Sequence, residues 1–412
     1  MNFGRVALLS FVPAAAALGC SLMTSLDDLR GTDAGADASP PVDAAKDGDA
    51  AEAGPPLCGA PGESCCDAPL APCAEGLGCF NKKCRVNDAW ALGEYHAVTS
   101  TALVTVIVAA HYDGATWTRS LDVLTDTGLT PYRLIDLHVT TSGTIRALVT
   151  KQNVGKMMNW NGVAWLECKL GNACLGPSGE DLQAMTAVTN GGVEFWLSAV
   201  NKMFRCQQST CTQESTGIPG TWGSGAFAGT TSQDLWYSQF DHVLHFDGAK
   251  WGSTAVADAY TIGEFAVNDL WIGTKQLRHW DGKAWSTPYL ADGAQLPGTT
   301  FSIAGSATND GWAVGMDTTS AAPSFAAHWD GAAWTKKALP TGSAHVQRVY
   351  APSPIDAFVV GDKTPPDAIG LIAHWDGTSW VETPGPKVTY TGETQPGALR
   401  WFFVAGRARP RR

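Results

Sequence analysis

A six-residue pattern, aromatic-[DN]-G-x-x-W, recurs along the chain and restricts its fold more than any other feature. It occupies Tyr112-Asp113-Gly114-Ala115-Thr116-Trp117, then Trp160 to Trp165, Phe246 to Trp251, Trp280 to Trp285, Trp329 to Trp334 and Trp375 to Trp380. Successive copies start 48, 86, 34, 49 and 46 residues apart, so one interval is about twice the others. A seventh copy belongs in that gap. Cys206-Gln207-Gln208-Ser209-Thr210-Cys211 lies there, with two cysteines at the same five-residue offset. Asp-Gly is hairpin-turn chemistry, because glycine takes positive φ without steric cost. Residues flanking such a turn face each other with Cα atoms ~4.5 to 5.5 Å apart, a separation that suits an aromatic pair or a disulfide. A Cys206–Cys211 bond is therefore expected in place of one aromatic pair.

A second element precedes most hairpins: Asp234-Leu235-Trp236, Asp269-Leu270-Trp271, Asp310-Gly311-Trp312 and Asp356-Ala357-Phe358, with Glu194-Phe195-Trp196 as a variant. Each unit reads as an apolar segment such as Phe301 to Gly305, a polar turn, the D-x-aromatic strand, a strand into the Asp-Gly turn and a strand out. Four strands every 34 to 49 residues form the blade of a β-propeller, an all-β ring whose units bury their faces only against one another. Seven hairpins predict seven blades; an eight-bladed ring with an incomplete last blade is the alternative. Leu399 to Gly406 is an apolar strand with no hairpin after it, and only Trp90 to Val98 precedes the first hairpin. The C-terminal strand is thus expected to complete the first blade beside the N-terminal one. With Trp90 and Trp401, the two elements absorb 16 of the 17 tryptophans, which makes the Trp-rich composition structural.

The hairpin motif resembles the Asp-box, the bacterial neuraminidase repeat of sialidase-like propellers, from about residue 88 to the end. An Asp-box has one residue between Asp and Gly where these turns have none, so the resemblance implies a related hairpin. Sialidase chemistry would need three arginines around a carboxylate, a tyrosine nucleophile and an acid. Arg119, Arg133, Arg146, Arg205, Arg278 and Arg348 are present, but Arg205 and Arg278 sit in or beside hairpins and no R-I-P segment occurs. No G-x-S-x-G elbow, phosphate loop or H-E-x-x-H segment appears, so no cofactor is expected and no catalytic residue is assigned. His111, His245, His279, His328 and His374 each precede a motif aromatic. Strand alternation and the ring keep them apart, so structural hydrogen bonds are expected of them and no metal site. His96, His138, His242 and His345 have no such place. Asp113, Asp247, Asp281, Asp330 and Asp376 serve turns, whereas glycosidase chemistry needs two acids within ~5 to 10 Å.

The first nineteen residues carry an address. One charge, Arg5, precedes the mostly apolar run Val6 to Leu18, a signal-peptide length too short to span a membrane. Ala17-Leu18-Gly19-Cys20 then resembles the bacterial lipobox, with Ala17 where the family favours Leu. That resemblance implies lipidation of Cys20 and a membrane anchor. The other reading is an ordinary signal peptide cut nearby. Residues 20–57 are rich in Ala, Asp, Gly and Pro, with eight acids against two bases, and are expected to be a disordered acidic linker. Six cysteines follow within residues 58–85, Cys58, Cys65, Cys66, Cys73, Cys79 and Cys84, in a pattern similar to knottin-like modules. Three disulfides are expected, with all fifteen pairings open; zinc would want His support, and none lies there. Cys168 and Cys174 are expected to bridge a loop, and residues 88–412 to form the propeller.

The formal net charge of −11 speaks against a sequence-independent grip on nucleic acid. Arg407, Arg409, Arg411 and Arg412 form the one basic cluster, at the tail. The chain therefore reads as an exported, monomeric, non-catalytic lipoprotein of the outer membrane or cell surface, with a periplasmic or secreted protein as the alternative. Its propeller loops, enlarged at Asp317 to Ser324 and Asp362 to Gly370, are expected to bind a protein or glycan partner. The rival reading is a polysaccharide-active enzyme, hydrolase or lyase, on the same ring.

Overall fold

The structure is a computed structural model that describes residues 77–80, 83–86 and 88–406, except 128–129, 141–142, 169–179, 190–192, 208–209, 218–224, 274, 289, 291–292, 294, 297, 318–322 and 365–369. All of these belong to one unit, Gly54–Arg412. Its regular elements are β-strands throughout.

Seven antiparallel sheets form seven blades. Blade 1 is Arg133–Val139, Ile145–Lys151, Val154–Trp160 and Trp165–Glu167, and blade 2 is Leu182–Thr189, Val193–Ala199, Lys202–Gln207 and Thr210–Glu214. Blade 3 begins at Gly225, blade 4 at Thr261, blade 5 at Thr299 and blade 6 at Ser343, each with four strands in chain order. Blade 7 is composite: Glu393–Gly406 pairs with Ala89–Thr99, followed by Leu103–Tyr112 and Trp117–Arg119. The closing strand is thus longer than the apolar run at 399–406. Its first residues are polar, but they extend the pairing, with Thr99 opposite Glu393. First strands of successive blades contact one another around the whole ring, blade 7 back to blade 1 included, so they line the axis.

Burial follows position. Second strands are covered on both faces by neighbouring blades and read as continuous apolar runs: Asp310–Met316 and Asp356–Lys363 are buried over their first six residues. Fourth strands form the rim, where Trp251–Ala255 buries its tryptophan and exposes the other four residues.

Every motif pair is cross-strand. Tyr112, Trp160, Phe246, Trp280, Trp329 and Trp375 are register partners of Trp117, Trp165, Trp251, Trp285, Trp334 and Trp380. Their ring centroids lie between 5.2 and 5.8 Å apart. Cys206 and Cys211 hold the equivalent register in blade 2 and are disulfide-bonded at a Cα separation of 4.0 Å. Between each aromatic pair the Asp or Asn Oδ1 accepts the next two free amides, as Asp247 does from Ala249 and Lys250, both at 2.9 Å. The following glycine has φ between 87° and 99° in all six aromatic turns, so a Cβ there would be strained.

The second-strand aromatic of each blade packs on the hairpin pair of the next blade. Trp312 of blade 5 lies 4.8 Å from Trp375 and 4.7 Å from Trp380 of blade 6. Trp271 meets Trp329 and Trp334, Trp196 meets Phe246 and Trp251, Phe358 meets Tyr112 and Trp117, and Trp90 meets Trp160 and Trp165. Trp236 shares a core with Trp280 and Trp285. The exception is the seam between blades 1 and 2. There the second-strand position holds Arg146, buried, with its guanidinium carbon 3.6 Å from the ring centroid of Phe195, whose register partner is Cys206 of the disulfide.

Candidate functional site

The recurrent acids and histidines form one device. The Asp of D-x-W sits at the head of the second strand, and strand pairing brings the His before the hairpin aromatic beside it, as Trp236 opposite His245. His245 Nε2 lies 2.7 Å from Asp234 Oδ1, and the same contact is 2.9 Å for His279 and Asp269, and 2.8 Å both for His328 and Asp310 and for His374 and Asp356. The intervening aromatic stacks on that His, most closely Trp236 on His245 at 3.8 Å, while Trp236 and Trp271 donate their indole N–H to the same aspartates. Asp88-Ala89-Trp90 is a further copy, with His111 3.1 Å from Asp88. In blade 2, Glu194 accepts from Trp196, Arg205 and Gln207. Blade 1 holds Thr144, Arg146 and Asn159 at these three positions and has no acid there. The five histidines thus lie in five blades and are committed locally, as expected. The turn aspartates are equally committed: the amide donors they accept hold Asp113, Asp247, Asp281 and Asp330 below the ordinary carboxylate range, and Thr378 and Ser379 bring Asp376 to about 2.

The axis is polar at mid-depth. First strands of all seven blades carry register shifts, and as innermost edge strands they have backbone amides without a ladder partner. Side chains of the preceding blade take several of them. Leu134 N–H donates to Glu94 at 2.7 Å, Met185 to Asp136 at 2.9 Å, Val346 to Ser324 at 3.0 Å and Val349 to Ser302 at 3.2 Å. Arg348 Nη1 donates to the Phe301 and Gln347 carbonyls, and its guanidinium lies over Phe403 at 4.8 Å. Arg348 therefore ties blades 5, 6 and 7 together. Burial pushes Asp136 up to about 6, against the opposing effects of the Met185 amide, Arg348 and the Leu137 amide. Burial likewise brings His138 down to about 4, helped by Arg146.

The two ends of the ring differ. Connections from first to second strand at one end take two to five residues, and the Asp-Gly turns share that end. At the other end, connections between blades reach fourteen residues, at 168–181, and those from second to third strand reach seven, at 317–323. The two insertions expected to form binding loops both lie there. So do Val98, Leu103, Leu121, Val154, Val200, Phe240 and Tyr260, seven of the eleven exposed large apolar side chains among the described residues.

Of the other expected residues, Arg119 pairs with Asp122, His96 lies 3.0 Å from Thr105, His242 pairs with Asp241, and His345 lies 3.9 Å from Asp362. The six arginines weighed for sialidase chemistry are spread over blades 7, 1, 2, 4 and 6. Cys79 and Cys84 are register partners in a small hairpin. Cys84 and Cys168 are each disulfide-bonded. Cys84 is fully buried in the core that also holds Ala89, Tyr112 and Trp117, so this cysteine packs on the ring. Cys20, Cys58, Cys65, Cys66, Cys73 and Cys174 lie outside the described residues. Among the described residues, no three His, Cys, Asp or Glu side chains are grouped closely enough to hold a metal.

No family model and no curated protein matches the chain. Among solved structures it is similar to one described as YCF48 bound to D1 peptide, at 11% identity over 67% of this chain and 95% of that one, TM-score 0.43. It is also similar to the six-bladed lectin of Aleuria aurantia, at 16% identity over 64% and 97%, TM-score 0.42. A third is the GH74 enzyme of Niastella koreensis, at 13% identity over 73% of this chain and 47% of that one, TM-score 0.43. No function is carried over from likenesses of this size.

Proposed function

We propose that this is a non-catalytic binding protein of the bacterial cell surface, anchored through a lipid on Cys20, spaced by the acidic segment 20–57, and binding a protein or glycan partner with the long-loop end of its propeller. The observation that carries the reading is the asymmetry of the ring: one end is closed by short turns, while the other gathers the long connections and most of the exposed apolar side chains. Apolar surface held at loop ends on a rigid scaffold is what a recognition face requires. Eleven acids favour binding over catalysis, because five serve Asp-Gly turns and six hold the second-strand clasps. Asp136, pushed up to about 6 by burial, accepts backbone amides at both oxygens. Two or three acyl chains add ~0.8 kcal/mol per buried methylene, enough for durable anchoring.

Two measurements test this. Labelled palmitate should enter the wild type and not Cys20→Ala; equal labelling ends the anchor. Incubation with neutral, sulfated and uronate polysaccharides should release no new reducing ends and no unsaturated products, and sustained release would establish the enzyme instead.

A further inference from the structure

We infer that Phe240 and Tyr260, on the long-loop end between blades 3 and 4, form a stacking subsite for neutral sugar rings. This rests on the long-loop end being the binding face, and it names the ligand class. The two are the most exposed aromatic side chains among the described residues, at 60% and 41%, and they touch each other: their rings cross at 81° with centroids 5.6 Å apart. The motif aromatics, by contrast, are spent in hairpin pairs and seams.

The corner they make is held rigidly. Phe240 is in the turn between the second and third strands of blade 3, and Tyr260 ends the connection into blade 4. Ala259 N–H donates to the Phe240 carbonyl and Val256 N–H to the Asp241 carbonyl, both at 2.9 Å. Tyr260 N–H donates to the Gly273 carbonyl, also at 2.9 Å. Val256 and Ala259 are buried beneath, and Asp258 takes φ +58° to turn the chain. Two aromatic rings are therefore kept in water by a backbone with little freedom, and a ligand meets them without an ordering cost.

The polar surround selects the ligand. His242 lies 2.8 Å from Asp241 on one side. On the other, Asp258 Oδ1 accepts from Tyr260 Oη at 3.4 Å, and its Oδ2 lies 3.5 Å from Lys275 Nζ. Two carboxylates face one lysine and a histidine that is charged only when protonated, so the corner carries donors and acceptors with a slight negative excess. An apolar face ringed by both hydrogen-bond types matches a pyranose, whose C–H face stacks on an aromatic ring while its hydroxyls both donate and accept. A sulfated or sialylated glycan would meet Asp241 and Asp258 unfavourably.

The test uses the full chain on a printed panel of neutral gluco-, galacto-, manno- and fuco-configured oligosaccharides, with sialylated and sulfated ones alongside. The wild type should bind neutral members. Phe240→Ala and Tyr260→Ala should each weaken that binding about tenfold or more, and Tyr260→Phe should retain most of it. Melting temperatures should not move, since both rings are at the surface. Absence of binding to any neutral glycan, binding confined to anionic ones, or binding unmoved by both alanine variants overturns the subsite. In the last case, loss on deleting residues 365–369 would leave the long-loop end standing as the binding face. Loss caused instead by Val163→Ala with Val267→Ala, at the short-turn end, would overturn that reading too.

Discussion

The seam between blades 1 and 2 differs from the other six, and the difference is paired. Elsewhere a second-strand Trp or Phe enters an aromatic pair on the next blade. Here the entering residue is Arg146, seated on Phe195, and the hairpin pair of the next blade is Cys206–Cys211. Both halves of the contact changed together, as if neither is tolerated alone: a disulfide offers little surface for an indole to pack on, and an aromatic pair facing a buried guanidinium would lose its hydrophobic partner. The arginine keeps its place over the Phe195 ring, and its burial lowers its pKa to about 10. The clasp is missing in the same blade, where Thr144 and Asn159 stand at the acid and His positions. Blade 1 therefore joins its neighbour by a different chemistry, and a covalent bond steadies the receiving hairpin.

The largest expected effect is at an ordinary seam. Trp312→Ala, at a residue with no exposed surface, should cost about 3 to 5 kcal/mol in equilibrium unfolding, and Arg146→Ala clearly less. Equal losses would erase the distinction. Next, Cys206→Ala with Cys211→Ala should cost about 2 kcal/mol, the chain-entropy value for so short a loop, measured under oxidising conditions. A smaller, more discriminating effect is coupling. Arg146→Trp alone and Cys206→Phe with Cys211→Trp alone should each destabilise, while the combination recovers about 0.5 to 3 kcal/mol of their summed loss. Strict additivity would mean that the two halves are independent.

The smallest effect is one of pH, from the first strand of blade 1. His138 titrates near 4 in the folded chain against an ordinary 6.5, so the stability that it contributes is present above 6.5 and is lost as pH falls toward 4. Asp136 titrates near 6 against 3.8, so its contribution is present below 3.8 and is lost as pH rises toward 6. The two slopes oppose each other across pH 4 to 6. Wild-type stability should be nearly flat there; His138→Gln should make it rise on acidification, and Asp136→Asn should make it fall. Parallel profiles for all three proteins would contradict the burial of these groups.

Much of the ring was legible because its elements recur. The hairpins, their cross-strand pairs, the cysteine substitution, seven blades and the closing strand all follow from spacing and turn chemistry. The clasp was half legible: D-x-W and His-aromatic were both visible, but strand register is what joins Asp234 to His245. Asp88 was hidden because only Trp90 marked that strand. The axial contacts of Asp136, Glu94 and Arg348 depend on register shifts, which leave no periodic trace. Phe240 and Tyr260 belong to no repeat, and their exposure follows from connections whose path is set by backbone bonds to neighbouring strands. Nor did the cysteine spacing indicate that Cys84 would be buried with the ring.

Ala89 and Gly406 face each other in blade 7, at the two ends of the propeller chain. The strand Glu393–Gly406 is thus the innermost of its blade, and no earlier segment takes its place beside Ala89–Thr99. Closing a loop of this length is entropically costly and slow. A chain that emerges N-terminus first must therefore wait, with one blade lacking its axial strand, until the fourteen residues Glu393–Gly406 arrive. Under the export proposed above, that delay ties completion of the ring to release of residues 393–406 on the far side of the membrane, and a chain truncated before Glu393 would stay open.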